Sequence, residues 1–309
     1  MSSQTMIGDR LWDEILKAIV YTMPNQLFPL IKEVYGKEYP PDTPIKLLGT
    51  EHSTYLDDPE STPSSKLMDI SLLIADTDYY HIECQMGNDR MMAIRMISYD
   101  LHYAIEHCMS KKLNADEIII HFPRSMVLYP EQNHRIPDSL KCRVIFQDES
   151  QHLYRIPAVK IQSYSLREIH QKHLNLFIPY LLLRLKPRIS SKRNPLTKKE
   201  LTEFIDDIIV ILQQDLINGY LTKQECSDYI NLLTRASEHI FSHCPKYHKE
   251  VQHMTKPLII LPGMEIAELK ASIAEKESQF QTALAKKDSE IAELRAKLAA
   301  LAFPPVSSQ

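Results

Sequence analysis

The clearest alternation of apolar and polar side chains in the chain lies between residues 66 and 103. Two short apolar-rich runs, 67–75 and 79–86, flank a polar triplet centred on Thr77. Short apolar runs joined by Asp and Thr residues are typical of two strands and a tight turn. A segment with helical spacing follows them directly. The pattern therefore predicts a β-hairpin leading into a helix.

Side chains alternate between the two faces of a strand, so the hairpin is expected to have one apolar and one polar face. With the turn centred on Thr77, Asp69 is predicted to lie opposite Gln85, and Ser71 opposite Glu83. Two carboxylates would then lie close together on the polar face. The apolar face is predicted to consist of Ile70, Leu72, Ile74, Ile82 and Cys84.

The rest of the first 200 residues predicts further helices and strands around this hairpin. Helices are expected at 9–22 and 25–35, a first strand within 45–55, and a helix from Asn88 to Cys108. The predicted buried stripe of that last helix is Ile94, Ile97, Leu101, Ile105 and Cys108. Strands are predicted at 117–122, 142–147 and 153–161, and a capping box at Ser165 begins another helix. Strands mixed with helices in this way indicate an α/β layered core.

The C-terminal part of the chain changes in composition. Residues 184–199 contain seven basic residues and no acidic one. Capping boxes at Thr197 and Thr222 predict helices over 200–217 and 223–241. From 264 to 301 the chain lacks Pro and Gly and carries heptad-spaced apolar residues, which favours a coiled coil over an isolated helix.

Composition limits the functional classes. A formal charge of −4 gives no overall attraction to nucleic acid, so any DNA contact must depend on local patches. Five cysteines without close pairing argue against a disulfide framework and for a reducing compartment. Neither a transmembrane-length apolar run nor a signal-peptide pattern is evident. The sequence predicts a cytoplasmic protein without membrane contacts.

The carboxylates Asp69 and Glu83 are the candidate chemical groups of the hairpin. Magnesium binds oxygen ligands, commonly one or two carboxylates with water and substrate phosphates completing its shell. A bound magnesium ion polarises a phosphodiester and lowers the pKa of an attacking water. The alternative is a solvated sheet face, because polar alternation is the default for half-buried strands.

The order of these residues resembles the PD-(D/E)XK nuclease superfamily, and within it the Rpn family of recombination-promoting nucleases and putative transposases. The carriers of the resemblance are Asp69, the Glu83-Cys84-Gln85 triplet, and Arg95 and Tyr99 in the following helix. Arg95 and Tyr99 lie four apart and so project from one helix face. The resemblance covers about residues 5–190.

The resemblance implies a restriction-endonuclease-like core and a magnesium-dependent DNA endonuclease. It implies that Asp69, Glu83 and the Cys84 backbone carbonyl bind Mg²⁺ or another divalent cation, and that Gln85 orients the attacking water. Arg95 and Tyr99 would face the substrate. Gln85 stands where many superfamily members have Lys, and a neutral amide supplies no positive charge to the transition state. A further acid from the first helix is often present, for which the candidates are Asp9, Asp13, Glu14, Glu33 and Glu51.

The basic segment is predicted to contribute non-specific DNA affinity through Arg184, Lys186, Arg188, Lys192 and Arg193. Of these, Arg188, Lys192 and Arg193 are the candidate substrate-binding residues, and their contacts to DNA phosphates would make affinity fall with salt. The alternative is a solvated linker, because runs of charged residues are usually exposed to solvent. Four regions follow: a nuclease-like core at 1–186, a basic linker and helical hairpin at 187–262, a coiled coil at 263–303, and a disordered tail at 304–309.

Two alternatives to a magnesium-dependent DNA endonuclease remain open. A fold alone does not guarantee activity, so a degenerate nuclease core could serve only as a coiled-coil interaction module. A nuclease for structured RNA or single strands is not distinguished from one for duplex DNA. The predicted partners are DNA and a second copy of the chain, bound through the coiled coil.

Overall fold

Two helices begin the chain. The computed structural model describes residues 3–48, 70–107, 118–242, 244, 246–247 and 287, with the side chains of the first helix described from Leu11 onward. Helix α1 (Ser3–Thr22) and helix α2 (Phe28–Tyr35) are joined by a 3₁₀ turn at Pro24–Leu27. Gly36 ends α2 with a φ of 66°, a left-handed conformation that glycine adopts without steric cost.

Six strands form one mixed sheet, as the α/β prediction requires. The strands are β1 (Ile45–Leu47), β2 (Ile70–Ile74), β3 (Asp78–Cys84), β4 (Arg124–Tyr129), β5 (Ser139–Ile145) and β6 (Gln151–Lys160). Their order across the sheet is β1-β2-β3-β4-β6-β5. The β3–β4 and β4–β6 pairs are parallel and the other three pairs are antiparallel.

The hairpin of β2 and β3 is present, but its predicted register is wrong by two residues. Ser71 pairs with His81 rather than with Glu83, because the turn centres on Asp76 instead of Thr77. Ala75 and Asp76 have φ angles of 53° and 58°, which a tight hairpin turn requires. The shift is even, so it leaves every described side chain on its predicted face.

Contacts to Asp78 explain this register. Asp78 belongs to β3 and not to the turn. Its carboxylate accepts hydrogen bonds from Lys37, from the Tyr39 hydroxyl at 2.8 Å and from Arg124 at 2.8 Å. These partners come from the α2–β1 connection and from β4, so tertiary contacts hold Asp78 within the strand.

The strand predicted at 117–122 is wrong. Residues 118–123 contain only a single bridge at Ile120, and the strand β4 begins after Pro123, at Arg124. Ile118 and Phe122 are 64% and 42% exposed. Parallel pairing with β3 buries both faces of β4, and its run of buried residues satisfies that position.

Helix α3 (Met92–His107) lies on the polar face of the hairpin, and the prediction of its buried stripe is wrong. Ile94, Leu101 and Ile105 are 49%, 41% and 48% exposed. The side that faces the sheet is formed instead by Met92, Met96, Tyr99, Asp100, Tyr103 and Ala104. The helix also begins later than Asn88: the Asp89 carboxylate accepts the Met91 N–H at 2.8 Å.

The remaining helices cover the other face of the sheet. They are α4 (Leu166–Gln171), a 3₁₀ segment at Asn175–Arg184, α5 (Lys186–Ile189), α6 (Lys198–Ile217) and α7 (Lys223–Phe241). The capping boxes predicted at Ser165, Thr197 and Thr222 are confirmed. Buried residues of α1, β2, β3, α6 and α7 belong to one hydrophobic cluster, so the α6–α7 hairpin packs on the same core as the sheet.

The predicted coiled coil at 263–303 lies outside the described residues apart from Lys287, which is helical and exposed. Among the described helices, none combines the length and apolar character needed to cross a membrane.

Candidate functional site

A buried charged group lies between the sheet and α3. Glu83 is 3% exposed, and His81, two residues earlier on the same face of β3, is fully buried. His81 Nδ1 lies 2.6 Å from Asp100 Oδ1, and His81 Nε2 lies 3.1 Å from Glu83 Oε1. The imidazole therefore links the candidate carboxylate of β3 to a carboxylate of α3.

His81 is charged in this arrangement. Burial opposes the imidazolium, but the hydrogen bonds and charges of Asp100 and Glu83 outweigh it and raise the pKa of His81 to about 9. Both ring nitrogens then carry protons at neutral pH and donate to the two carboxylates. One positive charge thus compensates part of the negative charge that burial would otherwise make costly.

Tyrosines close the group on the side of β4 and β6. The Tyr154 hydroxyl donates a hydrogen bond to Asp100 Oδ2, so both oxygens of Asp100 are engaged. Tyr129 is fully buried, and burial raises its pKa to about 12. Its hydroxyl finds no hydrogen-bond partner among the described residues. Asp89 and Arg95 lie close enough to influence its ionisation, so this unpaired hydroxyl is near the beginning of α3.

Arg95 and Tyr99 lie on the side of α3 that borders this group. Arg95 Nη1 donates to Asp89 Oδ2 at 3.1 Å, and its guanidinium lies 5.9 Å from the centroid of the Tyr99 ring. Partial burial opposes the charge, yet Tyr99, Asp89 and Glu83 together raise the pKa of Arg95. Tyr99 is 8% exposed and meets His81 edge-on, with ring centroids 6.1 Å apart.

Cys84 and Gln85 continue the chain at the carboxyl end of β3. Cys84 is the last residue of the strand and pairs with Leu128. Gln85 lies just beyond the strand and donates its backbone N–H to the Leu128 carbonyl at 2.9 Å. Both side chains are partly exposed. Asp69, the other predicted metal ligand, lies outside the described residues.

The group offers hard oxygen donors of the kind that magnesium binds: the Glu83 carboxylate and the backbone carbonyl of Cys84. Within the described part of the chain, no cluster of three or more His, Cys, Asp or Glu side chains is arranged to hold a metal ion. Asp69 would add the second carboxylate. The donor types fit Mg²⁺, and the set is completed only with a residue beyond those described.

The candidate acids of the first helices point elsewhere. Asp13 pairs with Lys17 at 2.8 Å, and Glu14 lies 3.7 Å from Arg235 of α7. Glu33 accepts hydrogen bonds from Lys172 at 2.7 Å and from the Tyr164 hydroxyl at 3.2 Å. The side chain of Asp9 and all of Glu51 lie outside the described residues. Among the described residues, the acid that reaches the Glu83 group is Asp100 of α3.

The basic segment is separate from this group and partly neutralised. Lys186 pairs with Glu131 at 2.5 Å, just beyond β4. Arg188 donates to both carboxylate oxygens of Glu200, at 2.8 and 2.9 Å, and also to Asn194 and the Pro195 carbonyl. Lys192 and Arg193 are exposed on the loop that Arg188 closes.

Sequence reasoning missed His81 and Asp100. The signal for His81 was present, because it lies two residues before Glu83 and alternation places it on the same face. Asp100 lies one residue after Tyr99, and only the rotation of α3 about its axis shows that it points inward.

Comparison of the chain with protein-family models, with curated proteins and with solved structures found no match.

Proposed function

We propose that the chain is a magnesium-dependent DNA endonuclease with a PD-(D/E)XK-type core, as the resemblance of its residues implies. The observation that supports this most strongly is the buried Glu83 at the end of a central strand, next to Arg95 and Tyr99 of the following helix. A buried carboxylate under a helix that presents a cation suits the binding of a metal ion and a phosphate. Association with recombination or transposon-like elements is a further part of the proposal.

In this proposal Asp69, Glu83 and the Cys84 carbonyl bind the metal. The last described pair of the β2–β3 ladder is Ile70 with Ile82, and Asp69 and Glu83 are the next residues outward along the chain. An antiparallel ladder extended by one pair would set them opposite each other. A bound Mg²⁺ would supply Lewis-acid polarisation of the phosphodiester and a more acidic water.

The other residues would position the water, the substrate or the Glu83 carboxylate, or would compensate charge. Gln85, just beyond β3, would orient the attacking water through its amide. Arg95 would contact a non-bridging phosphate oxygen, since guanidinium groups recognise phosphate by paired hydrogen bonds. The unpaired Tyr129 hydroxyl gives the same region a hydrogen-bond donor for water or substrate. His81 would keep the Glu83 carboxylate in one orientation without touching the substrate.

The test is plasmid nicking with and without magnesium. Asp69→Ala and Glu83→Gln should each abolish nicking, and Glu203→Gln on the exposed surface of α6 should leave it unchanged. Circular dichroism and thermal unfolding establish that each variant folds. Full nicking by Asp69→Ala would refute the metal assignment, and nicking in excess chelator would refute the metal dependence.

A second candidate is a non-catalytic interaction protein. Its support is the apolar stripe of Ile94, Leu101 and Ile105, which is exposed on α3, the helix that also carries Asp100. Such a stripe on a helix suits a protein partner. Folded wild-type protein that never nicks DNA with magnesium, yet self-associates, would favour this function.

A further inference from the structure

The strands β5 and β6 leave the sheet as a two-stranded ribbon. β6 pairs with β4 only through Ala158–Lys160, and all seven residues of β5 pair with Gln151–Pro157. We refer to Ser139–Ile145 together with Gln151–Pro157 as the ribbon. Among the described strands β5 is the last one of the sheet, so the ribbon forms an edge of the described sheet.

The two faces of the ribbon differ in chemistry. Its inner face packs on α3: Leu140 and Ile156 are buried against Met92 and Met96, and Tyr154 bonds to Asp100. The register places Lys141 opposite Arg155 and Arg143 opposite Leu153, so these side chains share the other face. Lys141, Arg143 and Arg155 are all exposed. We call these three residues the basic face.

The charges of the basic face are not neutralised by the described part of the chain. The strands of the ribbon contain no Asp or Glu. Arg143 donates to the Gln151 side chain at 2.7 Å, a neutral partner. None of the three residues has an ion-pair partner among the described residues. At the ribbon's tip the Asp148 carboxylate is bound by Ser150 of its own turn.

This contrasts with the basic segment at 184–199, where Lys186 and Arg188 are paired with Glu131 and Glu200. A cation already paired with a carboxylate gains less from a phosphate than an unpaired one. Opposed residues of the ribbon have Cβ atoms about 5 Å apart, and Arg143 lies about 7 Å further along, so the three long side chains form one compact cationic surface.

We infer that the basic face of the β5–β6 ribbon binds duplex DNA through its phosphates, at a surface separate from the Glu83 group. The proposal extends the proposed function by naming a second DNA contact, and the DNA partner rests on that function. A two-stranded β-ribbon fits the dimensions of a DNA groove, and the unpaired charges complement its phosphates.

The location of this surface determines which property it affects. Glu83, Val127 and Ala158 lie side by side across three strands, and side chains of such partners share a face. Arg155, three residues before Ala158, therefore points to the opposite face. The basic face is thus expected to change DNA affinity and not the chemical step.

The test compares two triple variants with the same loss of charge. One replaces Lys141, Arg143 and Arg155 by Gln. The control replaces three exposed basic residues outside the ribbon and the basic segment, Lys32, Lys46 and Arg167, by Gln. Anisotropy of a labelled duplex of about 30 base pairs, roughly three helical turns, is measured in EDTA over a range of salt concentrations. Binding in EDTA does not depend on nuclease activity.

The ribbon variant should show a plot of log affinity against log salt whose slope is shallower by about 2.7, since each phosphate contact contributes about 0.9. The ratio of wild-type to ribbon-variant DNA affinity should then decrease about 40-fold between 50 and 200 mM salt. The control should retain the wild-type slope. Equal slopes in both variants would mean that the charges only protect a free sheet edge from pairing, and would overturn the proposal.

Two further results separate this proposal from the nuclease. Suppose that wild-type protein fails to nick DNA but the ribbon variant shows the predicted shallower salt dependence. The DNA-binding surface is then supported and the endonuclease function is refuted. If wild-type protein nicks DNA and the ribbon variant binds DNA as the wild type does, the endonuclease function is supported and the DNA-binding surface on the ribbon is refuted. If the ribbon variant lost affinity only for an RNA duplex of the same sequence, and bound DNA as the wild type does, the assignment of DNA as the partner would also be overturned.

Discussion

His81→Leu is the sharpest test of the buried group between β3 and α3. The substitution removes two hydrogen bonds to carboxylates, at 2.6 and 3.1 Å, and leaves Asp100 and Glu83 without their shared cation. Both carboxylates are almost completely buried, so water cannot replace the imidazolium without opening the interface. The expected effect is a loss of stability and not only of activity.

The magnitude follows from the number and kind of bonds lost. A hydrogen bond to a charged group contributes about 1.5–3 kcal/mol, and removing one partner of a buried ion pair typically costs about 3–5 kcal/mol. We expect His81→Leu to lower the free energy of unfolding by about 3–5 kcal/mol, a large share of the about 5–15 kcal/mol typical of folded proteins. Replacing His81 and Asp100 together by Leu should cost less than the sum of the two single variants, because the two residues share one hydrogen bond, which the double variant loses only once.

Urea unfolding in EDTA measures these differences. The single tryptophan, Trp12, is 2% exposed in the main hydrophobic cluster, so its fluorescence reports loss of the core. His102→Leu is the matched control. Among the described residues its ring bonds only to the Ser98 carbonyl one turn away, at 3.1 Å, and the substitution should cost less than about 0.5 kcal/mol. A cost below about 1 kcal/mol for His81→Leu would refute the charged hydrogen-bond network.

Three further predictions concern other parts of the chain. Burial opposes the Asp78 carboxylate, but hydrogen bonds from Lys37, Tyr39 and Arg124 outweigh burial and lower the pKa of Asp78. The stability that Asp78 contributes is therefore fully present above the unfolded pKa of about 3.9, and it is lost as the pH falls through the lower pKa of the folded state. Asp78→Asn should therefore destabilise the protein at pH 7 and weaken the acid dependence of the urea midpoint; an unchanged midpoint at pH 7 would contradict this. Replacing Lys192 and Arg193 by Ala should make the salt dependence of DNA affinity shallower by about 1.8, whereas an unchanged slope would identify that loop as a solvated linker. Truncation after Pro262 should convert a dimer to a monomer in light scattering, and the same mass per particle in both proteins would exclude dimerisation through the C-terminal segment.

Local patterns were sufficient for several elements. The β2–β3 hairpin, the α/β class and the three capping boxes at Ser165, Thr197 and Thr222 were predictable because each depends on residues within a few positions of one another. Alternation likewise placed Ser71 and Glu83 on the polar face of the hairpin. The spacing of Arg95 and Tyr99 also predicted that they share a helix face, and the Arg95 guanidinium does lie over the Tyr99 ring.

The buried side of α3 and the register of the hairpin were not predictable from local patterns, and tertiary contacts decided both. Helix α3 carries two apolar stripes, and periodicity cannot choose between them. The inward side is the one whose Asp100 and Tyr103 bond to His81 and to the Leu72 carbonyl, because the sheet beneath is polar. The same holds for the hairpin register, which depends on the partners of Asp78 from the α2–β1 connection and from β4.

The sequence by itself thus determined which segments form strands and helices wherever the deciding residues are near neighbours in the chain. It determined the chemical character of the hairpin faces, and so the candidate carboxylate Glu83. Only the tertiary structure joined Glu83 to Asp100 through His81, neutralised Arg188 with Glu200, and gave the basic face of the ribbon no ion-pair partner among the described residues. These outcomes depend on residues distant in sequence, and periodicity along one segment carries no information about which distant partner meets it.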